Sequence, residues 1–591
     1  MHSTKNVKRP LLAIVILLAA SSLTGCARPS DEPIERWWKW DPISSVAYLA
    51  EQVLKLYREN FVDSYTQFPD NVDCGEETKT TRTVEGNCND PAQTRMGSAG
   101  VRFGRNVALD ASYPVDQTLM EPNPRTISRE LMTRGEIKEV DFLSYWAAAW
   151  IQFMVHDWMA HQNSSTESHR VPLDDTDPLA GELGSEMAIA KTEVDPNWTP
   201  YENTPPGYLN RNTHWWDGSQ LYGSDAQTAA QVRTFSGGKL KLEANGRLPV
   251  DTQTGLPLTG FNENWWLGLQ MLHELFVKEH NAIAAMLQQK HPEWDDELLY
   301  NKARLINAAV MAKIHTVDWT PSILKNPLLN VAMNADWELA VGGPKALRGA
   351  PYSLTEDFVA VYRMHPLLRD EVAVRDFQSG ALLQSLPTAE QAFQKAAGVM
   401  DRFGTANLFY SFGVTHPGQI TTNNYPKFLQ ELRMPDGTLL DLAAVDILRD
   451  RERGVPRYNE FRRQLHMPPI RDFTDLTPDA ELAEKLRTVY HNDVEAIDTL
   501  VGQLAEGYRP PGFGFSDTTF RIFTMMAPRR FQADRFYTSS FNKAVYTKEG
   551  MHWIREANMK NVIVRHVPEL KTAMTKVGNP FFPWNTDSSR W

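Results

Sequence analysis

The chain is expected to fold as a mainly alpha protein. Three observations predict this: apolar residues recur at helical spacing along most of the sequence after Thr133, extended runs are few, and no internal repeat or low-complexity tract interrupts the pattern. At 591 residues the chain exceeds the length at which one core usually keeps growing, so a large domain with an extension, or two domains, is expected. Charged residues at 23% and hydrophobic residues at 42% are ordinary globular values, which exclude a disordered chain and a polytopic membrane protein. The formal net charge of -12 excludes nucleic acid as a partner, since phosphate binding needs an excess of Lys and Arg. An anionic substrate must therefore meet a local cation.

Residues 1–25 read as a leader. Lys5, Lys8 and Arg9 precede an apolar run from Leu11 to Ala20, which is too short to span a bilayer and fits a signal peptide. The following Leu23-Thr24-Gly25-Cys26 resembles a bacterial lipobox. That resemblance implies lipidation at Cys26, a membrane anchor of several acyl chains, and a place in the bacterial cell envelope, periplasmic or outer-membrane.

Residues 26–130 form a helical and irregular extension. Trp37, Trp38 and Trp40 lead into Val46, Leu49, Val53, Leu54 and Tyr57 at helical spacing, a helix that either packs on the main domain or faces a membrane. From 66 to 130 the text is rich in Asp, Asn, Gly, Pro and Thr, which predicts irregular wrapping structure. Cys74 and Cys88 either close a disulfide across a short loop or remain two free thiols.

Residues 131–591 make the main domain, with helical patterns over roughly 136–163, 264–289, 296–319, 354–366, 388–414, 478–506 and 517–529. In the first, Phe142, Trp146, Ala149, Phe153 and His156 share one face, so His156 sits in an apolar stripe. His161 is five residues on and points elsewhere, which argues against a joint metal site. In Tyr362-Arg363-Met364-His365, Tyr362 and His365 stand at i and i+3 and face the same way on a helix. His315 lies on the stripe Leu305, Ala308, Ala312, His315, Trp319 of a buried helix, with Thr320 at its Pro321-terminated end. A buried histidine there needs a partner.

Read together, His156-Asp157, Thr213-His214-Trp215-Trp216-Asp217-Gly218-Ser219, Glu279-His280-Asn281 and Tyr362-Arg363-Met364-His365 resemble, in that order, the animal-type haem peroxidase and cyclooxygenase superfamily. Trp150 to Trp158, Lys313 to Thr320, Pro351 to Phe358 and Arg529 to Arg535 resemble the fatty-acid alpha-dioxygenases within it, and the likeness covers about residues 80 to 570. The resemblance implies a peroxidase-like helical catalytic domain that binds haem b.

By the same resemblance His156 is the distal histidine, Gln152 its distal-pocket companion, His365 the proximal iron ligand and Tyr362 the catalytic tyrosine. The proximal His needs an acceptor for its other ring nitrogen, and Asn424 in Thr422-Asn423-Asn424-Tyr425-Pro426 is the candidate. His315, Thr320 and Arg530 would clamp the substrate carboxylate, although Arg530 alone reads equally as a surface ion pair in the charged stretch 529–535. Thr213, Trp215 (through its carbonyl), Asp217 and Ser219 alternate along a loop, and with Asp157 they make an oxygen set that suits calcium.

Departures from the mammalian peroxidases favour an oxygenase. Those enzymes bind haem through ester links where this chain has Val155 and, nearby, Trp265-Trp266, so the haem is expected to be non-covalent. They carry Arg three residues before the proximal His, where this chain has Tyr362. The expected reaction adds molecular oxygen to C2 of a fatty acid by way of a tyrosyl radical, giving a 2-hydroperoxy fatty acid. The alternatives are a hydrogen-peroxide-dependent peroxidase and a haem-fold adhesion or scaffold protein. A monomer is expected, with fatty acid and oxygen as partners.

Overall fold

The computed structural model describes residues 36–62, 70–111, 119–198, 205–341 and 353–588. The leader and Cys26 lie outside the described residues. Among the described residues no helix is long and apolar enough to cross a membrane. Helices dominate among the described residues, and the strands there form three two-stranded antiparallel hairpins. In the largest, β1 (Asn163–Pro172) pairs with β2 (Glu186–Thr192), placing Val171 opposite Met187 over a small separate cluster that includes Leu448.

Helix α1 (Pro42–Glu59) starts at Asp41, whose carboxylate accepts from the Ile43 and Ser44 N–H groups. Its inner face, with Tyr48 and Leu56, joins the main core, while Ile43 and Leu54 stay exposed. Of the two readings of this helix, packing on the main domain holds for that inner face. Trp37 just before it is buried and donates its indole N–H to Asp517.

The centre is built by α2 (Trp146–Trp158), α3 (Leu267–Lys290) and α4 (Asp296–Ile314), with α2 against α3 and α3 against α4. Apart from Gln152 and Val155, every residue of α2 is buried, so the helix is apolar nearly all round, as an interior helix should be. Phe276 of α3 meets Trp150 and Phe153 of α2 with ring centroids 5.6 and 5.5 Å apart. Helix α4 is capped by Asp295 and carries Asp296 and Glu297 in its first turn, where the helix dipole favours acids.

Several expected helices are shorter than their apolar patterns. The pattern from 136 becomes helical only at Trp146, because the backbone before it pairs elsewhere, Val140 with Pro417 and Ser144 with Phe581. The 388–414 run breaks at Gly404, and the 478–506 run breaks where His491 and Asn492 take positive φ. Helix α5 (Glu356–Val361), capped by Thr355, stops at Tyr362, and His365 opens a separate 3-10 turn. Pro366 explains why the helix cannot run through: it has no N–H to offer the Tyr362 carbonyl four residues back, and its ring crowds that carbonyl. Tyr362 and His365 are therefore not on one continuous helix as the spacing suggests.

Helix α6 (Leu442–Glu452) is capped by Asp441, and α7 (Asp517–Ala533) by Ser516; α7 packs against both α1 and α5. Cys74 and Cys88 form a disulfide. The loop it closes wraps two functional elements at once. Gly86 accepts from the Trp215 indole at 2.8 Å, while Arg82 reaches Asp534, just past α7, at 2.7 Å.

Candidate active site

His156 lies near the end of α2, its ring edge-on to Phe261 with centroids 4.9 Å apart, and its carbonyl accepts from Asn212 at 2.7 Å. Burial, helped by nearby His273, lowers its pKa to about 3, so the imidazole is neutral. Its Nδ1 is buried without a hydrogen-bond partner. Gln152, one turn earlier, is held by Trp266, whose indole N–H donates to Gln152 Oε1 at 2.7 Å. Sequence reasoning placed Gln152 and missed Trp266.

His365 is a partly open side chain, 31% exposed, beside buried neighbours. Its Nδ1 lies 2.8 Å from Asp446 Oδ2 of α6. Asn424, the acceptor expected from the sequence, does not perform this task. Its amide is used up on the loop, accepting from the Lys138 N–H and donating to the Lys138 and Gln419 carbonyls, all at 2.8–2.9 Å. The partner is a carboxylate instead, and it is itself held. Tyr425 donates to Asp446 Oδ2 at 2.9 Å, and Arg363 to Asp446 Oδ1 at 2.5 Å and to Asp450 at 2.8 Å. Burial alone would raise the Asp446 pKa, but His365 and Arg363 beside it bring it down to about 2.

Tyr362, His315 and Arg530 come from three different elements and converge on Trp158. The Trp158 ring lies 5.8 Å from that of Tyr362 and 5.2 Å from that of His315, and the Arg530 guanidinium carbon sits 4.2 Å from its centroid. Arg530 also lies 4.5 Å from the centroid of Trp216. At 2% exposure it is no surface residue, so the ion-pair alternative fails. Burial pushes the Tyr362 phenol well above its ordinary value, with Arg530 opposing, and the ring stays protonated.

His315 starts a π-turn, His315–Trp319, at the end of α4. Such wider turns recur at functional sites because they rotate a side chain out of the helical register. Burial and Arg530 lower the His315 pKa well below its ordinary value, so the ring is neutral. Trp150 donates to its Nδ1 at 3.3 Å, which places the ring proton on Nε2. Thr320 donates its hydroxyl proton to the His315 carbonyl at 2.9 Å, which holds the turn.

The oxygen set gathers as spaced. Ser219 donates its N–H to Asp157 Oδ1 at 2.5 Å and its hydroxyl to Asp217 at 2.6 Å, and Thr213 Oγ1 is 3.2 Å from Ser219 Oγ. Gly218 makes the turn at φ +83, where a Cβ would strike Tyr222. Burial raises the Asp157 carboxyl well above its ordinary range and Asp217 adds to this, while its Oδ2 has no partner. Arg304 reaches Asp217 at 3.1 Å. Trp215 is anchored through its indole. Among the described residues no group of three or more His, Cys, Asp or Glu side chains is placed to hold a metal, so a cation here would rest on two carboxylates with hydroxyl and carbonyl oxygens.

His365 and His156 carry the donor chemistry that would hold a haem. The His365 Nδ1 lies 2.8 Å from the Asp446 carboxylate, at ion-pair distance though outside hydrogen-bond geometry, which leaves Nε2 for iron, and the neutral His156 has a buried orphan nitrogen.

Comparison with known proteins agrees. The animal haem peroxidase family model matches residues 81–578. Alpha-dioxygenase 2 of Arabidopsis thaliana is 38% identical over 543 residues, covering 86% of this chain and 84% of its own, and alpha-dioxygenase PIOX of Oryza sativa subsp. japonica is 38% identical, covering 86% of each. The solved fatty acid alpha-dioxygenase of Arabidopsis thaliana superposes with a TM-score of 0.87 at 35% identity, covering 97% of this chain and 92% of its own. A variant of the Oryza sativa enzyme solved with palmitic acid superposes with a TM-score of 0.86 at 34% identity, covering 97% of each. The chain belongs to the animal haem peroxidase family and, within it, to the alpha-dioxygenases.

Proposed function

We propose that this protein adds molecular oxygen to C2 of a fatty acid, with Tyr362 as the radical-bearing residue. The observation that carries the reading is the convergence of a buried phenol, a neutral imidazole with its proton on Nε2, and a buried guanidinium around Trp158. A C2–H bond is too weakly acidic for base chemistry at neutral pH, which leaves hydrogen-atom abstraction.

His365, with Asp446 behind it, would ligate the haem iron, and His156 with Gln152 would serve the peroxide-cleaving side of the chemistry. The haem, when bound, supplies the one-electron oxidant that peroxide generates. Neutral His156 can take a proton from the peroxide and pass it on. Tyr362 gives up its phenolic hydrogen and becomes a tyrosyl radical. The carboxylate of the fatty acid pairs with Arg530 and accepts from His315 Nε2–H, which holds C2 beside the Tyr362 oxygen. The radical takes a hydrogen atom from C2, oxygen adds to the carbon radical, and the peroxyl radical recovers hydrogen from Tyr362. The product is a 2-hydroperoxy fatty acid and the tyrosyl radical is restored.

Two finer assignments belong to this reading. Calcium held by Asp157, Asp217, Thr213, Ser219 and the Trp215 carbonyl would fix the residue next to His156; the mutual repulsion of the two carboxylates and the orphan Asp157 Oδ2 support a cation there. The leader with Cys26 supports a lipid-anchored enzyme of the cell envelope, next to its substrate.

Oxygen uptake by haem-loaded protein on adding palmitate, with mass spectrometry of the product, tests the function. Tyr362→Phe should keep the haem spectrum and abolish uptake. Undiminished uptake by that variant refutes the role of Tyr362.

A further inference from the structure

We infer that Arg530 has a second role: it confines the oxidising equivalent to Tyr362 by making Trp158 and Trp216 hard to oxidise. The inference rests on the tyrosyl-radical reading of Tyr362.

A tyrosyl radical beside tryptophan is a liability, because phenol and indole are oxidised at similar potentials. Trp158 lies 5.8 Å from Tyr362, ring to ring, and Trp216 a further 5.4 Å away. Beyond Trp216 the aromatic series continues through Phe531, at 5.0 Å, to Tyr537, at 5.2 Å from Phe531. In the leak, the Tyr362 oxygen radical would gain an electron from the Trp158 indole and a proton, becoming a phenol again. Trp158 would be oxidised by one electron, and its N–H proton would have to go to a base. From there the hole would pass to Trp216, and the enzyme would lose its oxidant.

Two features close this route. The oxidised indole is first a radical cation, and the Arg530 guanidinium sits over both indole faces, at 4.2 and 4.5 Å from the ring centroids. A cation that is attracted to the neutral ring repels the oxidised one. The second feature blocks escape by proton loss. The N–H groups of Trp158 and Trp216 are buried and find no acceptor among the described residues. By contrast, Trp146, Trp150, Trp265, Trp266 and Trp319 each donate to a backbone or side-chain acceptor. His315, edge-on to both indoles at 5.2 Å, offers no base, because its Nδ1 already accepts from Trp150 and its Nε2 carries the proton. The pair of indoles thus supplies an apolar seat for a buried cation, and the cation in turn protects its seat.

The test uses haem-loaded protein treated with hydrogen peroxide without fatty acid, followed by freeze-quench electron paramagnetic resonance and peptide mass spectrometry. Wild type should show a tyrosyl signal that Tyr362→Phe removes, with Trp158 and Trp216 unmodified. In Arg530→Met the tyrosyl signal should decay roughly tenfold faster or more, with hydroxytryptophan or kynurenine at Trp158 or Trp216. Adding Trp158→Phe to that variant should restore the lifetime. An unchanged lifetime with unmodified tryptophans in Arg530→Met overturns the inference. So does a longer lifetime in Trp158→Phe with Arg530 intact, an arm that does not depend on the arginine variant folding, since Trp158 would then already be draining the radical. Absence of any signal that depends on Tyr362 overturns the radical reading itself, and this inference with it.

Discussion

Replacing Asp446 by Asn keeps the size and the acceptor oxygen but removes the charge behind His365. The neighbourhood should survive, because Arg363 keeps Asp450 at 2.8 Å and Tyr425 keeps an oxygen to donate to. The electronic effect follows from the geometry. With iron on Nε2 the ring proton sits on Nδ1, 2.8 Å from the Asp446 carboxylate, whose negative charge enriches the ring in electron density and stabilises the more positive ferric iron. A hydrogen bond to a charged group is stronger than a neutral one by about 1–1.5 kcal/mol. Expressed in the ferric state, this is roughly 40–65 mV for a one-electron couple. Asp446→Asn should therefore raise the ferric/ferrous midpoint by that amount in a spectroelectrochemical titration, and lower the iron–histidine stretching frequency in the resonance Raman spectrum. A midpoint that stays put or becomes more negative would refute the reasoning.

Three further outcomes are expected. Asp534→Ala strands the buried Arg82, which it meets at 2.7 Å, and should cost about 3–5 kcal/mol, seen as a lower urea midpoint; an unchanged midpoint would mean Arg82 finds other compensation. Acid should destabilise the fold below pH 6.5: burial lowers the pKa of His161 and of His280 to about 4 and that of His273 to about 3, so the unfolded chain binds more protons over that window and stability falls by about 1.4 kcal/mol per pH unit per histidine. Asp318 and Asp450, each raised by burial to about 6, and Asp157, raised well above its ordinary range, work the other way, but the buried imidazoles outnumber them, since burial also lowers His156 to about 3, His214 to about 4 and His315 well below its ordinary value; urea midpoints that stay flat from pH 7 to 5 would count against this balance. Asp217→Asn should reduce bound calcium after gel filtration, measured by elemental analysis, and shift the haem absorption band; equal calcium content in both proteins would remove the loop from the metal reading.

The helical class and most of the site were legible because they depend on local spacing. Periodicity set His156 and Gln152 one turn apart on α2 and put His315 on the apolar stripe that α4 carries into the π-turn, while their roles came from the family resemblance. What failed was non-local. Asp446 sits on α6, far along the chain from His365, and no spacing rule connects them; an amide at Asn424 was the wrong partner because resemblance supplied a residue type rather than a contact. Trp266 was noted only for the ester it cannot form, whereas its service to Gln152 depends on α2 and α3 packing together. The single helix expected through Tyr362 and His365 ignored Pro366, whose missing N–H and ring clash four residues back, at Tyr362, were readable. The breaks at Gly404 and at His491-Asn492 show that apolar periodicity reports which side is buried more faithfully than where a helix ends.

The π-turn at 315–319 divides its helix into two registers that are pinned separately. Upstream, Lys313 grips the carbonyls of Ile554, Arg555 and Ala557; downstream, the Trp319 indole donates to Ala147. The turn holds one residue more than an alpha-helical path would need, so the chain behaves there as an insertion that has been kept. Deleting a single residue between the two pins would give a smoother helix and a protein that still folds around haem, with His315 rotated away from Trp158. In a set of aligned sequences, a one-residue gap at this point would separate chains that can hold a carboxylate beside the tyrosine from chains that share only the scaffold.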